Sequence, residues 1–231
     1  MSPSDVLNRS FSLYGEHWQH LIGIGLVIWV SVAIIAAILS LLGIVGALLA
    51  LIVIFIGGFL MQGAIVTAVD DLQDGRADLS IGDTLRAAQP HLPALILAGL
   101  VVGILVAIGF VLLIIPGLIL LTFWFVTAPS IVIEQKSAID GMQRSWNLVR
   151  GNFWTTLGLV IITFLLLFVI GFLAALILSF LPDFLASLVS NIVVNSVIGP
   201  FWAVVSAMAF FRLREQRSPE PPAPAPADAN F

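Results

Sequence analysis

SAIDGMQRSW, residues 137–146, sets an aspartate, an arginine and a tryptophan at helical spacing between two long apolar stretches. Ser137 and Asp140 have the spacing of a capping box, in which a serine and an acidic residue three positions on satisfy the free N–H groups that open a helix. Asp140 precedes Arg144 by four positions, the better order for a helical ion pair worth about 0.2–0.5 kcal/mol. Ile139, Met142, Trp146 and Val149 share one face of such a helix, and Asp140, Gln143, Arg144 and Asn147 share the other. Gly151 then closes it. The pattern predicts an interfacial helix, with Trp146 at headgroup level and its charges in water.

The surroundings explain why such a helix is needed. Of the 231 residues, 60% are hydrophobic and only 10% are charged, with a mean hydropathy of +1.14. A soluble domain carries about 25% charged residues, so most of this chain is solvated by lipid. The chain has no cysteine, which excludes disulfides, thiolate metal sites and cysteine nucleophiles. The first twenty residues hold Asp5 and Glu16 beside Arg9, with no small-residue cleavage site after the first apolar run. They do not read as a cleavable signal.

About 20 apolar residues are needed for a helix to cross a bilayer core. Residues 21–42, 44–69, 93–115, 117–133, 153–180 and 184–211 qualify or nearly so, and none of them contains Asp, Glu, Lys or Arg. The breaks after the first, third and fifth are minimal: Gly43, Pro116-Gly117, and Leu181-Pro182-Asp183. They predict tight turns, and hence three helical hairpins. All nine Lys and Arg residues (Arg9, Arg76, Arg86, Lys136, Arg144, Arg150, Arg212, Arg214 and Arg217) fall in the segments outside these turns. The positive-inside rule then puts both ends in the cytoplasm of a multi-pass bacterial inner-membrane protein.

The opening device recurs. Ser2-Pro3-Ser4-Asp5 is followed by Arg9, with Leu7, Phe11 and Tyr14 as the predicted apolar face. Ser80-Ile81-Gly82-Asp83 is followed by Arg86, with Ile81, Leu85 and Ala88 inward. SPSDVLNRSF (2–11) matches SAIDGMQRSW in Ser, Asp, an apolar residue, Arg-Ser and an aromatic at the same offsets; SIGDTLRAAQ (80–89) is the eroded version. The expectation is an all-α, six-helix membrane domain over residues 1–213, built as three units, about 2–69, 80–133 and 137–211. In each, a short cytoplasmic amphipathic helix precedes a transmembrane hairpin. Residues 214–231, rich in Pro and Ala, are expected to be a disordered cytoplasmic tail.

Chemistry-bearing residues are sparse. No charged side chain lies within a span, where proton relays and substrate counter-ions usually sit. The strongest intramembrane polar feature is Ser187, Asn191 and Asn195, spaced by four on one face, with a kink expected at Gly199-Pro200. Together with Gln62 it is a candidate polar groove for a lipid headgroup or substrate; the plainer reading is interhelical hydrogen bonding, worth about 0.6 kcal/mol per bond. Gly99 and Gly103 form a GxxxG suited to close packing within the monomer. Glu16, His17 and His20 invite a metal but lack further ligands, and Asp70, Asp71, Asp74 and Asp78 read as a solvated loop. HExxH, GxSxG and glycine-rich phosphate loops are absent from the sequence. The expectation is therefore no catalytic residues, no metal and no cofactor.

Residues 115–154, IPGLILLTFWFVTAPSIVIEQKSAIDGMQRSWNLVRGNFW, resemble the hallmark segment of the bacterial glycerophosphoryl diester phosphodiesterase membrane-domain family and of a related uncharacterised inner-membrane family. The matching positions are Pro116-Gly117, Pro129, Glu134, Ser145-Trp146, Leu148, Arg150-Gly151 and Phe153-Trp154. The resemblance implies a membrane module without the separate catalytic barrel. It also implies structural roles: Pro116-Gly117 turns the hairpin, Pro129 bends the fourth span, and Ser145, Trp146 and Gly151 set the interfacial helix against the fifth. The functional expectation is a non-enzymatic scaffold or lipid-associated module in envelope or lipid homeostasis. Its expected partners are membrane lipids, with another membrane protein as a further candidate, and not nucleic acid. The competing class is a carrier or permease for a lipid-like or small neutral substrate.

Overall fold

The computed structural model describes residues 2–73, 79–180, 182 and 195–217. They form ten α-helices: α1 (Pro3–Glu16), α2 (Trp18–Ser40), α3 (Gly43–Gln73), α4 (Ile81–Ala88), α5 (Leu92–Leu112), α6 (Ile114–Phe123), α7 (Thr127–Ile133), α8 (Ala138–Arg150), α9 (Phe153–Leu178) and α10 (Asn195–Glu215). A 3₁₀ turn, Gln89–His91, joins α4 to α5. Among the described residues there is no strand. Six segments are long and apolar enough to cross a membrane: α2, α3, α4–α5, α6–α7, α9 and α10. The protein has an all-α, polytopic membrane-type fold.

Two described hairpin turns have different chemistry. Between α2 and α3 the chain reverses at Gly43, whose φ of +67° suits glycine. Between α5 and α6 the reversal falls at Leu113, which is extended (φ −164°, ψ 150°). This corrects the turn predicted at Pro116-Gly117: Pro116 is the third residue of α6, inside the first helical turn, where the lost N–H costs nothing. Gly117 instead lets the arms close, since a Cβ on Gly109 would meet the Gly117 Cα at 2.9 Å.

The fourth span is broken rather than bent. Residues 124–126 form turns between α6 and α7, and Pro129 is the third residue of α7. Proline cannot donate to the carbonyl four residues back and its ring clashes there, so the disruption falls upstream of it. The sixth span, by contrast, runs through Pro200 without a break and is buried along most of its length. It is the central helix, packed on α1, α2, α3, α7, α8 and α9. The core lies toward the end that carries the charges, from Leu21 to Val32 on α2, Met61 to Val69 on α3 and throughout α10. At the opposite end Leu41, Ile44, Val111 and Phe180 are exposed, as lipid-facing side chains are.

Each short amphipathic helix packs on a hairpin that precedes it in the cycle of the chain. Helix α4 lies on α2 and α3, α8 on α5, α6 and α7, and α1 on α9 and α10. Counted from the serine before each helix, the fourth and eighth following positions are buried in all three: Val6 and Ser10, Thr84 and Ala88, Gly141 and Ser145. The expected inward faces hold in most positions, with Ala88 and Val149 buried and Leu7, Tyr14, Ile81, Leu85 and Met142 packed against the core, and they depart at two. On α8 the small residues turn inward while Ile139 is 72% exposed; Phe11, expected inward on α1, is 48% exposed. The GxxxG on α5 is likewise half used: Gly99 receives the Phe59 ring of α3, whereas nothing stands near Gly103.

Candidate functional site

The most elaborated local chemistry surrounds the break in the fourth span. Helix α8 opens with the expected cap: the Asp140 N–H donates to Ser137 Oγ at 3.3 Å, and Ser137 Oγ donates to Asp140 Oδ2 at 2.6 Å. With Asp140 so engaged, Arg144 turns away from it. Its Nε and Nη2 donate to both Glu134 oxygens at 2.8–3.0 Å, and Lys136 Nζ stands 3.6 Å from the same carboxylate. The predicted Asp140–Arg144 pair is thus replaced by a longer-range, bidentate one. Glu134 can reach because α7 ends in a left-handed turn at Gln135 (φ 50°), closed by the Lys136 N–H donating to the Ile131 carbonyl at 3.1 Å.

Ser145 and Trp146 also do something other than set α8 against the fifth span. Ser145 Oγ donates to the Phe123 carbonyl at 2.8 Å, and the Trp146 ring stacks on Phe123 at 3.9 Å. Both grip the frayed end of α6, in the fourth span. Gly151 is the C-cap of α8, as expected.

One polar group beside that break has no partner. In the apolar spans, Thr67, Thr122, Ser130 and Thr163 each donate to the carbonyl four residues back. For Thr127 the corresponding carbonyl is Phe123, which lies across the turns at residues 124–126 and accepts from Ser145. The Thr127 hydroxyl is buried without a partner, on a residue only 7% exposed. It lines a partly open cavity of about 140 Å³ between α3, α5, the α6–α7 break and α10. Phe59, Trp124, Phe125 and Trp202 wall the cavity, and Gln62 supplies the other uncharged polar side chain.

A second, larger depression of about 480 Å³ opens beside it. Leu97, Val101, Ile139, Met142 and Trp146 make it an apolar groove between α5 and α8, with Gln143 at its edge. Ala98 and Trp124 line both spaces.

Of the predicted groove residues, Gln62 lines the inner cavity, whereas Asn195 begins α10 and is not among its lining residues. Ser187 and Asn191 lie outside the described residues, as do Asp74, Asp78 and the tail from residue 218. Among the described residues, no three His, Asp or Glu side chains gather as a metal would require. Thr127 was not anticipated. A threonine two residues before a proline in an apolar span reads as one more backbone-bonded hydroxyl until the break at residues 124–126 is located.

At α1, Tyr14 Oη donates to the Val197 carbonyl of α10 at 2.7 Å, three residues before Pro200. Burial pushes the Tyr14 phenol up to about 12.

The model of an uncharacterised protein family, UPF0259, matches residues 40–201, so the chain belongs to that family. No curated protein and no solved structure matches it.

Proposed function

We propose that this member of UPF0259 is a non-enzymatic, lipid-associated module of the bacterial cytoplasmic membrane, with both described ends on the cytoplasmic side. The observation that carries the reading is the apolar groove between α5 and α8. It opens beside an amphipathic helix whose Trp146 has the amphipathic ring favoured at headgroup level. An apolar groove at that level, flanked by a polar edge at Gln143, suits a lipid chain with its head toward water. The nine-to-none distribution of basic residues between the two sides supports the orientation.

Two further elements belong to the same reading. The three short helices, with matching buried offsets and each seated mainly on spans other than the two that follow it directly, support descent from one repeated unit. The resemblance of residues 115–154 to the glycerophosphoryl diester phosphodiesterase membrane domain supports a membrane module working beside other envelope components. A scaffold role predicts that another membrane protein co-purifies.

The test is native mass spectrometry of protein released gently from its own membrane, wild type against Val101→Trp, which fills the groove from α5. A lipid retained stoichiometrically by the wild type and lost from the variant supports the proposal; equal retention by both removes it. The inner cavity with Gln62 favours a second reading, a carrier of small neutral molecules, which requires flux in proteoliposomes that Gln62→Leu abolishes.

A further inference from the structure

Thr127 sits in an arrangement that packing alone does not explain. A buried hydroxyl without a partner is a standing cost, and valine would fill the same volume without it. The hydroxyl can donate once and accept twice, and Gln62 across the cavity adds two donors and an acceptor. No charged side chain lines the space, so a phosphate or ammonium entering it would lose hydration with no opposite charge in exchange. The volume of about 140 Å³ is close to that of an apolar cavity that holds benzene, about 150 Å³. It therefore takes a fragment of about six heavy atoms, the size of a glycerol unit. Through Ala98 and Trp124 the cavity borders the apolar groove.

We propose that the inner cavity binds the uncharged, hydroxyl-bearing end of a neutral lipid such as a diacylglycerol, with Thr127 and Gln62 as its hydrogen-bond partners and an acyl chain in the groove beside α8. This rests on the lipid-associated reading and narrows it to one chemical class. Ligand binding satisfies the Thr127 hydroxyl, and Trp124, shared by both spaces, is the ring against which head and chain meet.

The experiment places the full chain in phosphatidylethanolamine/phosphatidylglycerol nanodiscs with and without diacylglycerol. It records the thermal midpoint and the lipid retained on native mass spectrometry. Diacylglycerol is expected to raise the wild-type midpoint and to be retained at one per chain. Thr127→Val is expected to raise the midpoint of the ligand-free protein while weakening diacylglycerol binding about tenfold, the fold-change of one neutral hydrogen bond. Gln62→Leu, on a different helix, is expected to weaken it similarly, so the inference does not depend on one variant folding. Equal diacylglycerol affinity in the wild type and both variants overturns it. So does retention of a charged phospholipid alone, insensitive to Thr127→Val, although that result leaves the lipid-associated reading standing. Retention of no lipid of any kind overturns both.

Discussion

At α8, Ser145 reaches across to the Phe123 carbonyl and Trp146 stacks on the Phe123 ring at 3.9 Å. At α1, the matching Ser10 turns back to the Val6 carbonyl of its own helix, and Phe11 tilts against Phe201 at 4.7 Å. These two helices share the closest sequence match in the chain, and each docks through a ring and a hydrogen bond, yet the bond across comes from Ser145 on α8 and from Tyr14, not the matching Ser10, on α1. The caps diverge as well. Ser2 makes no side-chain cap bond and its hydroxyl meets Ser4 instead. Meanwhile α4, the least similar of the three in sequence, repeats the α8 cap closely, with Ser80 Oγ donating to Asp83 Oδ2 at 2.6 Å and accepting from the Asp83 N–H at 3.2 Å. What all three share is which offsets are buried. Similarity along ten residues therefore records a docking face; the hydrogen bonds are completed by whatever each neighbour leaves open.

The sharpest way to break this comparison is to exchange residues at the fourth offset. Gly141 lies against the Ile131 side chain, where an added Cβ has no room. Gly141→Val, which writes in the residue α1 carries there, is expected to cost about 3 kcal/mol through overpacking, read by denaturant titration in micelles. A neutral result would mean that α8 docks as loosely as α1.

Next in size is the carboxylate that α1 lacks. Glu134, only 17% exposed, accepts from Arg144 through both oxygens. Glu134→Gln is expected to lose roughly 2 kcal/mol, the worth of charge-assisted hydrogen bonds. Asp5→Asn on α1, by contrast, should stay within about 0.5 kcal/mol, as surface changes usually do.

The caps give a smaller, three-way contrast. Ser137→Ala and Ser80→Ala are each expected to cost about 1 kcal/mol, while Ser2→Ala should stay within about 0.5 kcal/mol. Equal losses at all three positions would show that the Ser2 cap forms in the membrane after all.

The smallest effect is one of pH. Tyr14 is the sole tyrosine of the chain, so phenolate absorbance reports on it alone. Its folded-state value of about 12 lies above the ordinary 10. The stability it contributes is therefore complete below pH 10 and is lost as the pH rises through about 12. The absorbance midpoint is expected near 12 for the folded protein and near 10 in denaturant; coincident midpoints would place Tyr14 in water.

Much of this architecture is legible in the sequence because two signals are coarse and redundant. Long apolar runs must become helices where lipid offers the backbone no partners, and a serine three residues before an aspartate marks a helix start at residues 80 and 137. The turn at Leu113 was missed because Pro-Gly reads as a turn, whereas proline is equally at home in the first turn of a helix. On α8, Val149 and Met142 face inward as expected, but Ile139 was misplaced because hydrophobicity alone points it inward, while in lipid the small residues make the protein contacts. In the candidate site, Gln62 was visible as a polar residue in an apolar run. Thr127 was not, because its lack of a partner goes with the break at residues 124–126, which the apolar run does not announce.

The seat of α1 on α9 and α10 has a consequence for how the chain is made. The Tyr14–Val197 bond joins residues 183 positions apart; at about 5–20 residues per second the ribosome delivers them roughly 10–40 s apart. During that interval α1 has been synthesised and its docking partner has not. Its exposed apolar face then has only the membrane surface to rest on, as a floating amphipathic helix. The seat of α1 is thus completed only once Val197 and the rest of α10 have been made.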